Sequence, residues 1–372
     1  MKKILFNCST NIQGGPVQNA ANFIIESSKD TEFNYLYLVS KNVLKILNDI
    51  EFYSTQVVLI KDSPSKKIAS RRIIKQYEDK FCPDLIFTMA GPSYIKFKNK
   101  HIMGCSNPYI IYASNKDIKY GRSYLEFINR LLRTLYQQFY IMKADYYLFQ
   151  TNISMNAFSN KFSVERKKLY CIPNALGMID NVDNVHNNNK YIKKNKCLSI
   201  FCPFENYSHK GIHIIPQVSK KLELLNINAI FNLTISQNDL TNKQKNIFKN
   251  FNNINFIGRK SYSKMSFEYN KNDIVFLPSI LEVFSTVCIE SLYFKKPIVI
   301  SNKNFNRDIL ESYAVYCDSF SVQDCVNKII KASKLANNEE YLLNAKNFIK
   351  EKFSNYENRY QKFKKVFNEI LI

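Results

Sequence analysis

Two glutamates eight positions apart, Glu282 and Glu290, lie in the stretch where this chain concentrates its chemistry. The stretch reads Pro278-Ser279-Ile280-Leu281-Glu282-Val283-Phe284-Ser285-Thr286 and runs on to Lys296-Pro297. Carboxylates accept hydrogen bonds from hydroxyls. The free N–H groups of a helix start attract phosphate. Two carboxylates repel a bare phosphate, so a ligand held here must also offer hydroxyls. A sugar nucleotide offers both, through its ribose and hexose hydroxyls and its diphosphate. The plain alternative is a glutamate pair that only complements a helix dipole.

The flanking residues decide how these groups are held. Asp273 to Leu277 is a short apolar run with the β-branched content of a buried strand, ended by Pro278. After Phe284 the pattern changes, and Val287, Cys288, Glu290, Ser291 and Leu292 read as a compact helix, with Ser285 or Thr286 able to cap it. Pro297 stops that helix, and Ile298-Val299-Ile300 is a further strand. The unit is strand–loop–helix–strand, with Glu282 in the loop at a strand's carboxyl end and Glu290 in the first turns of the helix. Such loops are where α/β proteins bind ligands.

Pro-Ser-x-x-Glu-x-Phe, a second Glu eight positions on, then Lys-Pro-Ile-Val, resembles the donor signature of family-4 retaining glycosyltransferases of the GT-B fold. The resemblance extends along most of the chain. It implies an α/β architecture of two Rossmann-like domains facing across a cleft, with the C-terminal helix crossing back to the first domain. It implies an acceptor-side domain over 1–178 with 355–372 packing on it, a polar linker over 179–195, and a donor domain over 196–354. It implies that Glu290 binds ribose hydroxyls and Glu282 donor-sugar hydroxyls. Lys210, in His209-Lys210-Gly211, stands where the family keeps its diphosphate lysine. Phe284 and the N–H groups of Ser285 and Thr286 belong to the same donor site. Gly258-Arg259 resembles the loop lining the nucleobase, Gly14-Gly15 resembles the family's N-terminal glycine loop, and Asn306-Arg307-Asp308 its polar loop near the donor. The chain departs from the pattern twice. Residues 203–207 hold no Arg, which leaves Arg259 as the candidate second cation, and Lys295 replaces a helix-ending Gly.

The elements that carry these residues follow from periodicity. Lys3 to Cys8, Asn34 to Val39, Gln56 to Ile60 and Asp84 to Met89 read as strands, and His101 to Tyr112 is expected to continue the sheet edge. Val17 to Ser27 and a basic stretch, Lys66 to Lys80, read as helices. Tyr124 to Lys143 is a long helix with an apolar face of Leu125, Ile128, Leu131, Leu132, Leu135, Phe139 and Met142. A core helix with a solvated basic face and a membrane-surface helix both fit that pattern.

Composition sets the class. A chain of 372 residues with 45% hydrophobic content is long enough for two globular domains. Nine cysteines without a C-x-x-C read as free thiols in a reducing cytoplasm, mostly buried: Cys8, Cys105, Cys197, Cys202 and Cys288 sit in apolar runs. His209 and His213 lack a third ligand in sequence, so no metal or other cofactor is expected. No signal peptide and no spanning segment is read, which points to a cytoplasmic protein, peripheral at most on the inner face of the plasma membrane. A net charge of +22 favours anionic partners. The charge does not choose among them; the resemblance implies a nucleoside-diphosphate sugar of UDP or GDP type and a glycan or undecaprenyl-diphosphate-linked acceptor, and the basic helices add an anionic membrane surface. The role the resemblance implies is bacterial surface-polysaccharide synthesis, of O-antigen or capsule. A sugar-nucleotide epimerase on the same fold is the enzymatic alternative. A nucleic-acid-binding protein is the alternative from another class, without a recognisable module to support it.

Overall fold

A computed structural model describes residues 1–177 and 197–372, and the chain forms two α/β units, each built on one parallel sheet. The expected linker over 179–195 lies outside the described residues.

The first unit comprises Met1–Ile118, Ser123–Ala175 and Ser354–Ile372. Its strands are β1 (Lys2–Cys8), β2 (Phe33–Val39), β3 (Val57–Leu59), β4 (Leu85–Thr88), β5 (His101–Gly104), β6 (Tyr146–Phe149) and β7 (Leu169–Cys171). They order as β3-β2-β1-β4-β5-β6-β7. β1 is central, so Ile4, Leu5, Phe6 and Cys8 are fully buried, as the near-continuous apolar run of a doubly covered parallel strand demands. β5 lies between β4 and β6 and is therefore an interior strand, not a sheet edge. It ends at Gly104, and Asn107 then accepts from Tyr109 N–H to cap a short helix, Pro108–Ile111.

The C-terminal helix Tyr356–Leu371 packs on this first unit. Phe363 meets Phe23 edge-on at 5.2 Å, and Phe367 lies 5.3 Å from Phe87. Each fully buried Phe contributes about 1.5–3 kcal/mol. Arg359, also buried, donates to Asn19 (3.2 Å) and Asn174 (3.0 Å). Burial pushes its guanidinium down to about 10.

The helix Tyr124–Ile141 starts with a capping box between Ser123 and Glu126, as a Ser-x-x-Glu start should. Its orientation corrects the core-helix reading. Thr134, Gln137 and Ile141 face inward, while Leu125, Leu132, Leu135, Phe139 and Met142 are exposed.

The second unit comprises Lys119–Arg122 and Leu176–Phe353. Its strands are β8 (Leu198–Cys202), β9 (Ala229–Leu233), β10 (Ile254–Phe256), β11 (Ile274–Leu277), β12 (Ile298–Ser301) and β13 (Val315–Cys317). They order as β10-β9-β8-β11-β12-β13, all parallel. The order reverses direction between β8 and β11. At such a switch point the loops leaving neighbouring strands diverge to opposite faces and open a crevice at the strands' carboxyl ends.

Six of the nine cysteines are buried; Cys171 and the expected Cys197 are only partly so, and Cys82 is exposed. Among the described residues no helix is long and apolar enough to cross a membrane.

Candidate active site

The second unit's switch point is built from the loops after β8 and β11. β11 is buried at every position, and Pro278 ends it by removing a ladder donor. The following loop is anchored rather than free: Ile280, Leu281 and Val283 are all buried. Glu282 stands between two of these apolar anchors, which fixes where its carboxylate points.

The loop after β8 is fastened to this one by its backbone. Ile280 N–H donates to the His209 carbonyl at 2.8 Å. Gly211 takes φ +73°, and a Cβ there would lie 2.5 Å from the Pro278 carbonyl oxygen. Only glycine accepts both the left-handed backbone and that approach. With the loops locked, Lys210 Nζ meets Glu282 Oε1 in an ion pair. Burial pushes the Glu282 carboxyl up. The charges of Lys210 and His209 and the Lys210 hydrogen bond outweigh it and hold the group below the usual carboxylate range.

Glu290 sits in the second turn of the helix Thr286–Tyr293. It is buried, and its Oε2 accepts from Tyr269 Oη at 2.8 Å. Tyr269 is itself wholly buried, edge-on to Phe201 at 5.1 Å and stacked on Phe294 at 5.0 Å. Burial raises the Glu290 carboxyl despite hydrogen bonds from Tyr269 and Thr286. The two carboxylates are thus driven apart, Glu282 toward the anion and Glu290 toward the acid. Pairs separated by their surroundings in this way mark sites where charge is managed.

Ser285 occupies the N-cap position, yet its side chain makes no capping bond, nor does Thr286 stand there. Phe284 is half-buried, its ring edge-on to Phe353 at 5.6 Å. The helix ends as a Schellman turn: Lys296 N–H reaches Ser291 O at 2.8 Å and Lys295 N–H reaches Leu292 O at 3.0 Å. Lys295 takes φ +56°, the left-handed position where the resemblance expects a glycine.

Arg259 is exposed and pairs with Glu205 at 3.1 Å, on the same β8 loop that carries Lys210. Gly258 before it takes φ +70° with open space around its Cα. Asn306-Arg307-Asp308 is not a loop: it lies within the helix Asn304–Leu310, where Arg307 Nε donates to Asn302 Oδ1 at 2.7 Å and the guanidinium lies over Tyr316.

In the first unit Gly14 and Gly15 follow β1, beside that sheet's own reversal between β1 and β4. Gly14 takes φ +68° and ψ −159°, a glycine-only conformation, before the helix Gly15–Ser27. Gly15 has open space and no such requirement.

Tyr269, Glu205 and Gly211 escaped the sequence reading. Tyr269 is 21 residues from its partner on another element, and Glu205 is separated from Arg259 by two strands. Gly211 alone carried a signal: the chain has only 8 glycines, and this one follows the candidate lysine. Among the described residues no group of three His, Cys, Asp or Glu gathers in metal-binding geometry. His209 stacks on Tyr207, and His213 bonds Tyr120.

Paired parallel sheets with these strand orders define a GT-B architecture, and solved structures of that fold match along the whole chain. A glycosyltransferase from Rickettsia africae aligns with a TM-score of 0.72 at 16% identity, covering 100% of this chain and 98% of that one. Sucrose-phosphate synthase from Thermosynechococcus elongatus gives 0.70 at 12%, covering 100% and 99%. A variant of S. aureus TarM, solved with fondaparinux, α-GlcNAc-glycerol and UDP, gives 0.69 at 12%, covering 99% and 100%. Identities this low speak for the fold alone. Residues 188–350 match the family model "Glycosyl transferases group 1", and Lys210, Arg259, Glu282 and Glu290 all fall inside the match. No curated protein sequence matches the chain significantly.

Proposed function

We propose that this protein is a retaining glycosyltransferase. It moves a sugar from a nucleoside-diphosphate sugar of UDP or GDP type to a glycan or lipid-linked acceptor in bacterial surface-polysaccharide synthesis. The observation that carries the reading is the Lys210–Glu282 ion pair at the switch point of a glycosyltransferase-family domain. In the ion pair each group satisfies the other. The donor offers better partners to both: diphosphate oxygens for Lys210 and sugar hydroxyls for Glu282.

In the transfer the bond between the anomeric carbon and the diphosphate oxygen breaks, and the oxygen keeps the electron pair. The acceptor oxygen bonds to that carbon from the same face and gives up its proton to the departing diphosphate oxygen. Negative charge grows on the leaving diphosphate. A fixed cation and the N-terminus of the helix Thr286–Tyr293 lower the barrier by meeting that charge as it forms. Arg259 can leave Glu205 to add a second cation, because its pair is exposed and weak. Glu290, poised near Tyr269, is the group for the ribose hydroxyls. Gly14-Gly15 is the first unit's candidate for backbone contact with a ligand. No metal takes part in this scheme.

The test is incubation with radiolabelled UDP- and GDP-sugars and a panel of glycan and lipid-diphosphate acceptors, with the new linkage read by NMR. The reading expects release of nucleoside diphosphate and a glycoside that keeps the donor's anomeric configuration. An inverted product refutes retention. Epimerised sugar nucleotide formed without acceptor establishes the epimerase instead.

A further inference from the structure

The helix Tyr124–Ile141 is turned inside out relative to its sequence pattern. A surface helix ordinarily buries its apolar stripe. Here Leu132, Leu135, Phe139 and Met142 are 59, 53, 58 and 38% exposed. At 100° per residue these four fall on one face, and Leu125 joins them. Thr134, Gln137 and Ile141 lie on the opposite face and are buried. Single exposed leucines are ordinary, but a contiguous stripe along several turns marks an interaction surface.

A second helix, Ile68–Phe81, lies beside this stripe. Arg71 ties the two together: its guanidinium donates to Tyr140 Oη at 3.0 Å and Tyr136 Oη at 2.8 Å, and it lies over the Tyr140 ring. Around that junction the charge has one sign. Residues 63–77 hold five Lys or Arg and no Asp or Glu, and residues 127–144 hold three and none. Lys66, Lys67, Arg72 and Arg133 are exposed, as is Ile68.

We propose that this face is a docking surface for an anionic lipid leaflet. The apolar stripe enters the boundary between headgroups and acyl chains, and the flanking cations lie against the phosphates. Apolar residues in a row with Lys and Arg at the margins and tyrosines between are what such a boundary accepts. The charge selects this occupant over a second copy of the chain, since two copies with a net charge of +22 each would oppose like-charged margins. The proposal is independent of the chemistry assigned to the second unit.

The experiment is co-sedimentation of the full chain with phosphatidylcholine vesicles, with and without phosphatidylglycerol, at low and raised salt, beside light scattering of the protein alone. Two variants leave Arg71 in place. Leu132→Gln/Leu135→Gln/Phe139→Gln removes the stripe, and Lys66→Gln/Lys67→Gln/Arg72→Gln removes part of the charge. All six side chains are exposed or at helix starts, so both variants keep the fold, which circular dichroism checks. Wild type should bind the phosphatidylglycerol vesicles and not the neutral ones. The charge variant should bind about a hundred-fold more weakly and with a shallower salt dependence. The stripe variant should weaken binding about ten-fold or more at every salt. Wild-type indifference to anionic vesicles at low salt overturns the proposal, as does unchanged binding by the stripe variant. A wild-type dimer that the stripe variant dissociates, without vesicle binding, assigns the face to self-association instead.

Discussion

Lys210 and Glu282 stand in the loops that follow the two strands flanking the reversal of strand order in the second sheet, and they close on each other with side chains only 16% and 11% exposed. Taking two charges that far out of water is costly, and their attraction only roughly offsets it. A buried pair is therefore poor as a stabilising device and good as a held position. The locking of Gly211 against Pro278 shows that the fold is shaped to make the pair.

Breaking this pair from one side should cost far more than removing it whole. Lys210→Met leaves the Glu282 carboxylate buried without its counter-charge, a loss of about 3–5 kcal/mol. Lys210→Met/Glu282→Gln should regain much of that stability in thermal denaturation, while turnover stays down by about two orders of magnitude or more. A double variant no more stable than the single one refutes the pairing energetics.

Glu290 should be a residue that costs stability. Its folded carboxyl titrates above the ordinary glutamate value of 4.5, so the folded state binds more protons than the unfolded one and loses stability as pH rises through that interval. Glu290→Gln keeps an acceptor for Tyr269 and carries no charge. It should raise the melting temperature at neutral pH, with the gain shrinking in acid. The same variant should bind nucleotide more weakly. A melting temperature that falls at neutral pH contradicts the burial argument.

Glu282 has the opposite sign. Its folded value lies below 4.5, so its contribution is complete above that pH and disappears as pH falls through the folded value. Acid unfolding of wild type and Glu282→Gln should therefore converge at low pH. Parallel curves across the whole acid range would remove Glu282 from the titration.

Gly211→Ala adds one carbon at an already crowded left-handed position. It should destabilise by more than the about 1 kcal/mol of backbone strain alone, because the Pro278 carbonyl must move. Turnover should drop with it, since displaced loops separate Lys210 from Glu282. The neighbouring contrast is Lys295→Gly, which relieves strain at φ +56° and should stabilise by about 1 kcal/mol with unchanged turnover.

The sequence made most of the second unit's site legible because its information is local. Pro278 and Pro297 each act within a few residues and bound one strand–loop–helix unit, whereas Ser285 takes the N-cap position without the capping bond expected of it. The partners lay beyond that range. Nothing near Glu290 in sequence announces Tyr269, and nothing near Arg259 announces Glu205. Periodicity showed that the helix Tyr124–Ile141 has an apolar face but not which way it turns, because orientation is set by what packs behind it. The same limit applies to β5: a short apolar strand looks alike at an edge and inside a parallel sheet. The resemblance placed Asn306-Arg307-Asp308 in a polar loop, whereas buried Phe305, Ile309 and Leu310 supply the face of a helix.

The central claim is that the switch point of the second unit holds a nucleoside diphosphate. Calorimetric titration of UDP, GDP, ADP and CDP into wild type, Lys210→Met and Glu290→Ala tests it most directly. One nucleotide should bind wild type with a stoichiometry of one, more weakly to Lys210→Met through the lost diphosphate contact, and more weakly to Glu290→Ala through the lost ribose contact. Binding of none of the four to wild type, or equal affinity in all three proteins, contradicts the assignment.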